Sequence, residues 1–248
     1  MCFDHDSEPP IPTGDRDVTS ERLTLTATDG NELMAFAARG DEPSRAAVVV
    51  LPDVRGLFRF YEDLAVRFAS AGHDAVAIDY FGRTAGNGDR TDDWDYAPHV
   101  SQTTVEGVSA DVAAAVAWLR ADDPDRAVFT VGFCFGGSNS WHQAANGHGL
   151  AGVIGFYGRP VRGENDRVID RVEEMTCPLL ALMGGDDPGI PQEAVDEFQR
   201  ALEAADVDHE VVVYPGAPHS FFDRKQAEFA EASADAWKRV LDFIVAHS

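Results

Sequence analysis

Six short runs constrain this chain more than anything else in it: "AAVVVLP" (Ala46–Pro52), "DAVAID" (Asp74–Asp79), "RAVFTVGF" (Arg126–Phe133), "LAGVIGFYG" (Leu150–Gly158), "CPLLALMGG" (Cys177–Gly185) and "HEVVVYPG" (His209–Gly216). The first is apolar throughout, with no alternation of polar and apolar residues, as expected of a strand buried on both faces. Between the runs lie stretches with helical periodicity. Phe60, Leu64 and Phe68 mark one face, and Val105, Val108, Val112, Val116 and Leu119 mark a second. Val195, Phe198 and Leu202 mark a third, and Phe229, Trp237, Val240, Leu241 and Ile244 a closing helix. Upstream, "RLTLTA" and "LMAFAAR" flank Asp29-Gly30-Asn31, a turn signal between two strands of a hairpin. The pattern predicts an α/β domain over residues 21–248, with a mostly parallel central sheet, helices on both faces and an N-terminal antiparallel hairpin. Residues 1–20, acidic and Pro-rich, are expected to form an extended arm, and residues 82–103 a long polar loop.

Composition narrows the function classes. Of 248 residues, 44% are apolar, which supplies a sizeable core. The formal charge of −23 repels phosphate backbones and anionic lipid, so neither a nucleic-acid nor a membrane partner is expected. The first residues have no basic and then apolar segment of the signal-peptide kind, and no apolar run is long enough to span a bilayer. The three cysteines, Cys2, Cys134 and Cys177, match no disulfide or metal framework; reduced thiols and a cytoplasmic setting are expected. Glycine clusters such as Gly86-Asn87-Gly88 lack the spacing of a phosphate or dinucleotide loop, and no His/Asp/Glu cluster suggests a metal, so no cofactor is expected.

The chemistry is concentrated in "GFCFGG", Gly132–Gly137. This is the G-x-S-x-G nucleophile elbow of the α/β-hydrolase fold with sulfur in place of oxygen. A side chain lifted above a sheet on a tight strand-to-helix turn needs small neighbours two positions away on either side. The turn also sets Cys134 at a helix N-terminus, where free amides and the dipole favour a thiolate and a nearby oxyanion. Cys177, just before a strand, reads as a small core residue.

In such folds the acid and then the base follow the nucleophile along the chain. Asp186 and Asp187, in "GGDDPGIP", follow one late strand, and His219, in "APHSFFDR", follows the last. Of the eight histidines, only His219 has that place; His99, in the long loop, is a lesser candidate for the pocket. Cys134 would attack an ester carbonyl with His219 as base and an aspartate fixing the imidazole, and water would then cleave the thioester. The amides of Phe135 and of Val54, after "VVVLP", would hold the oxyanion. Tyr157 and Arg159 stand at the carboxyl end of a strand, where such sheets bind ligands.

With these positions in hand, the chain resembles the dienelactone hydrolase (carboxymethylenebutenolidase-like) family from about residue 21 to its C-terminus, through "GFCFGG", "LMGGDDPGIP" and "YPGAPHSFF". The resemblance implies Asp187, rather than Asp186, as the acid. It implies an acidic residue that takes part in thiol activation at Asp53, where the family usually has Glu, and a substrate-carboxylate-binding arginine at Arg83. The family's second arginine is displaced: Asp223 stands at its position and Arg224 follows. The implied activity is hydrolysis of lactones or small activated esters through a Cys-His-Asp triad, by a monomer or homodimer that binds a small-molecule substrate. The alternatives are a broad carboxylesterase and a non-catalytic binding protein on a hydrolase scaffold.

Overall fold

The computed structural model describes residues 7–9, 14, 16–91, 93–223 and 225–248. Cys2 and Arg224, and most of the expected arm, lie outside them.

The hairpin forms as expected but is longer. Strand β1 (Val18–Thr26) pairs antiparallel with β2 (Glu32–Gly40) across a turn in which Gly30 has φ 86°. The apolar runs become β3 (Ala46–Leu51), β4 (Asp74–Ile78), β5 (Ala127–Phe133), β6 (Gly152–Phe156), β9 (Leu179–Gly184) and β10 (His209–Tyr214). They form one eight-stranded sheet in the order β1-β2-β4-β3-β5-β6-β9-β10. β2 meets β4 antiparallel, and every pairing from β4 to β10 is parallel.

Helices α1 (Arg59–Ser70), α4 (Val105–Leu119), α5 (Phe135–Gln143), α6 (Gln192–Ala204) and α7 (Ala230–Ala246) cover both faces. Two glycines of β6 show the two layers. A methyl added at Gly152 would strike Phe243 of α7, and one at Gly155 would strike Trp141 of α5. Three positions apart, they point to opposite faces of the strand. On one side Phe68 of α1 packs on Trp237 of α7 with ring centroids 4.8 Å apart; on the other, Trp141 packs on Phe198 of α6 at 5.0 Å. This is the α/β-hydrolase architecture.

Two segments differ from expectation. The polar stretch 82–103 contains two short helices, α2 (Gly82–Ala85) and α3 (Ala97–Val100). It is tied down by a buried ion pair, Arg90 to Asp79 at 2.7 Å, and by Trp94, whose ring lies against Phe81 and His99. Between β6 and β9 a small hairpin, β7 (Val161–Gly163) with β8 (Asp166–Arg167), leads into a 3-10 turn over Val168–Glu174. That stretch is short and polar, with no period for a sequence reading to detect.

Candidate active site

β5 is central in the sheet, and its last residues register with β3, Leu51 opposite Gly132. The chain passes from Phe133 through Cys134 directly into α5, and Cys134 has φ 55° and ψ −109°. A left-handed backbone at a residue with a Cβ costs on the order of 1–3 kcal/mol, so the surroundings must impose it. A Cβ on Gly132 would lie 1.9 Å from the Gly136 carbonyl oxygen, and one on Gly136 would lie 2.1 Å from the oxygen of Leu51. The elbow is therefore pressed against the end of β3, at a distance only glycine allows. Cys134 N–H donates to Phe156 O at 3.0 Å, locking the turn to β6 as well.

The imidazole arrives from the loop after β10. His219 Nδ1 lies 2.6 Å from Asp187 Oδ2, and the other oxygen, Oδ1, accepts from Gly189 N–H at 2.8 Å. Asp187 is buried in the loop after β9, whereas Asp186 beside it faces solvent. With the carboxylate as acceptor, Nδ1 carries the proton and Nε2 is left to act as a base. The ring of Tyr157, itself at φ 37° and fully buried, packs on His219 at 5.0 Å.

Cys134, Phe135, Tyr157, Asp187 and His219 line one cavity of about 580 Å³, together with Val54, Ser138, Arg159 and Arg162. Val100 and Ser101 bring the 82–103 segment to its wall. Phe135 opens α5, so its N–H is one of the leading amides the helix cannot satisfy itself. Val54 sits in the turn after β3, which Asp53 shapes by accepting Arg55 N–H at 2.8 Å. Tyr80 braces that turn by donating its hydroxyl to the carbonyls of Pro52 and Asp53. Burial, and after it the charge of Asp53, hold the Tyr80 pKa well above its ordinary value, so it remains a neutral donor.

Asp53 and Arg83 do not line this cavity. Asp53 is buried beneath the turn. The Arg83 guanidinium is committed to the protein: Nε and Nη2 donate to Asp111 at 2.9 and 2.8 Å, and Nη1 to Asp29 at 2.6 Å. Asp223 is buried. His99 donates to or accepts from Thr84 Oγ1 and stacks on Trp94, outside the lining. His148 is half-buried and hydrogen-bonded to Ser109 and Gln143.

The residue the sequence reading missed is Arg162. It reaches from β7 to lie 4.1 Å over the Phe135 ring, donates to Phe135 O and Asn139 Oδ1, and pairs with Asp166 at 2.5 Å. Its position follows from a three-residue strand that has no sequence signal. Asp166 in turn holds the buried His142 through Nε2 at 3.0 Å. Among the described residues no group of three or more His, Cys, Asp or Glu could hold a metal ion, and no helix is long and apolar enough to cross a membrane.

The sheet, the elbow and the loops behind it define a hydrolase of the α/β class. The sequence profile of the dienelactone hydrolase family matches residues 33–248, and the chain belongs to that family. A Yersinia pestis protein provisionally named carboxymethylenebutenolidase is 29% identical over 234 residues, 90% of this chain and 87% of its own length. A Bradyrhizobium protein provisionally named 2-oxo-3-(5-oxofuran-2-ylidene)propanoate lactonase is 30% identical over 89% of this chain and 92% of its own. Among solved structures, a provisionally named dienelactone hydrolase from Klebsiella pneumoniae superposes with a TM-score of 0.82 at 28% identity, covering 92% of this chain and 99% of that one.

Proposed function

We propose that the protein hydrolyses lactones or small activated esters through Cys134, His219 and Asp187, by way of a thioester. The observation that carries this reading is the 2.6 Å bond from His219 to Asp187 at the rim of the cavity that Cys134 also lines. Sγ gives its proton to His219 Nε2 and attacks the acyl carbon, while the Phe135 and Val54 amides receive the charge on the carbonyl oxygen. The imidazolium returns the proton to the departing alkoxide, and Asp187 stabilises it while it is charged. Water then gives a proton to His219 and attacks the thioester, which releases the carboxylic acid and restores the thiol. A thiolate suits acyl groups with good leaving groups, such as enol lactones. Asp53 shapes the turn that carries Val54, and Tyr157 orients His219 by ring contact.

The test is turnover of enol lactones, saturated lactones and p-nitrophenyl esters by wild type, Cys134→Ala and His219→Ala, with mass spectrometry of the quenched enzyme. Expected are loss of at least about a thousandfold in both variants and an acyl adduct on the peptide containing Cys134. Full turnover by Cys134→Ala would end the proposal. An inert wild type whose Cys134 binds but does not cleave these compounds would favour the binding-protein alternative.

A further inference from the structure

The short strand β7 has a different space on each side. Arg162 lines the catalytic cavity, and Val161, the residue before it, lines a second compartment of about 150 Å³. Successive residues of a strand point to opposite faces, so a single strand stands between the two spaces. The loop after β9 is divided in the same way: Asp187 lines the first space, Ile190 the second, and Gly189 both. Arg159 is also shared. The compartment therefore adjoins the catalytic cavity beside the carboxylate that holds His219. A Cβ built on Gly189 would lie 2.8 Å from Arg159 Nη2 and 3.2 Å from Asp187 Oδ1, so a side chain there would crowd the junction.

The wall of the compartment is apolar. Beyond the two shared residues it is made by Pro160, Val161, Ile169, Ile190, Pro191 and Ala194, with one acid, Glu197, among the described residues. Val161 is 40% exposed, and with Val245 it is one of two large apolar side chains that the described residues leave exposed. Val245 belongs to α7, whereas Val161 stands beside the catalytic cavity, where a bound molecule would cover it. Such a wall offers water few partners, and replacing that water by hydrocarbon is favourable. Apolar cavities of about 150 Å³ admit a six-carbon hydrocarbon.

We propose that this compartment is a subsite for an alkyl chain of the substrate, with room for about four to six carbons. The assignment rests on the hydrolase reading above and gives that reading a substrate class: lactones or activated esters with an aliphatic tail. Val161, Ile169 and Ala194 then set chain length without touching the reacting atoms.

The experiment uses two pairs of substrates whose members differ by a four-carbon extension. p-Nitrophenyl acetate and hexanoate carry the chain on the acid half, and γ-methylidene- and γ-pentylidene-butenolide carry it on the alcohol half. The quantity read is the ratio of kcat/KM for the long member to that for the short, measured on a single preparation and therefore independent of how much enzyme is active. Wild type is expected to favour the long member of at least one pair by about tenfold or more, against a ceiling of about fourfold per buried methylene. Ala194→Phe fills the compartment from the first turn of α6, and Val161→Ser makes its wall polar. The first should lower that ratio by about tenfold and the second by about three- to fivefold, while the short member keeps its wild-type rate. The pair affected shows which half of the substrate enters. A wild type indifferent to chain length in both pairs, or unchanged ratios in both variants, overturns the proposal. Failure of the hydrolase reading looks different: Cys134→Ala would then retain turnover of the short ester.

Discussion

At the scale of single residues, the elbow glycines are defined by distance. Gly136→Ala would place a methyl 2.1 Å from Leu51 O and 2.3 Å from Pro52 O, backbone atoms with no rotamer to yield. The turn that carries Val54 would have to retreat. We expect about 3 kcal/mol of destabilisation and a loss of kcat/KM exceeding roughly tenfold, read by urea melts and ester turnover; a wild-type melt and rate would show that the contact is slack. The two described thiols should also separate cleanly. Burial pushes the Cys177 pKa up to about 11 from an ordinary 9.0. The native state thus holds this thiol neutral where the unfolded chain ionises it. The associated stability is fully present below pH 9 and is lost as pH rises through about 11, at most about 3 kcal/mol in all. Melts of wild type should therefore fall over that window more steeply than those of Cys177→Ala, and parallel curves would refute the assignment. At neutral pH iodoacetamide should modify Cys134 well before Cys177.

At the scale of elements, the ion pairs of Arg83 tie together segments far apart in the sequence. Its partners lie 54 residues upstream and 28 downstream, so no local pattern reveals them. They join the β1–β2 turn, α2 and α4. The Asp111 side chain is fully buried, and burial raises its pKa against the pull of Arg83. Removing the guanidinium alone leaves that charge stranded, at a cost of about 3 kcal/mol. Arg83→Ala should lower the Tm by on the order of 10 °C, and Asp111→Asn in the same chain should recover much of the loss. Additive losses in the double variant would mean the pair is not coupled. The buried strands were legible because burial on both faces leaves a continuous apolar run, and the triad loops because they follow those strands. The β7–β8 hairpin was not, since three- and two-residue strands of mixed polarity resemble any loop. Arg162 was lost with it, while Tyr157 and Arg159, just after β6, were expected at the site from strand order alone.

For the whole molecule, the charge of −23 acts on the fold as self-repulsion. The surface ion pairs bring arginines and lysines to acids, yet acids outnumber bases twofold, so the remaining charge is negative. Screening shortens the range of that repulsion to about 8 Å at physiological ionic strength. The Tm should rise as NaCl increases from about 10 mM to about 0.5 M, followed by calorimetry. A fall over that range would mean that attractive pairs outweigh the excess.

The left-handed torsion at residue 134 is enforced through backbone contacts at Leu51, Gly136 and Phe156. The perch is thus indifferent to its tenant. A lineage built on this floor plan can exchange thiol for hydroxyl by a single substitution, changing which acyl groups it opens while leaving the masonry underneath as it stands.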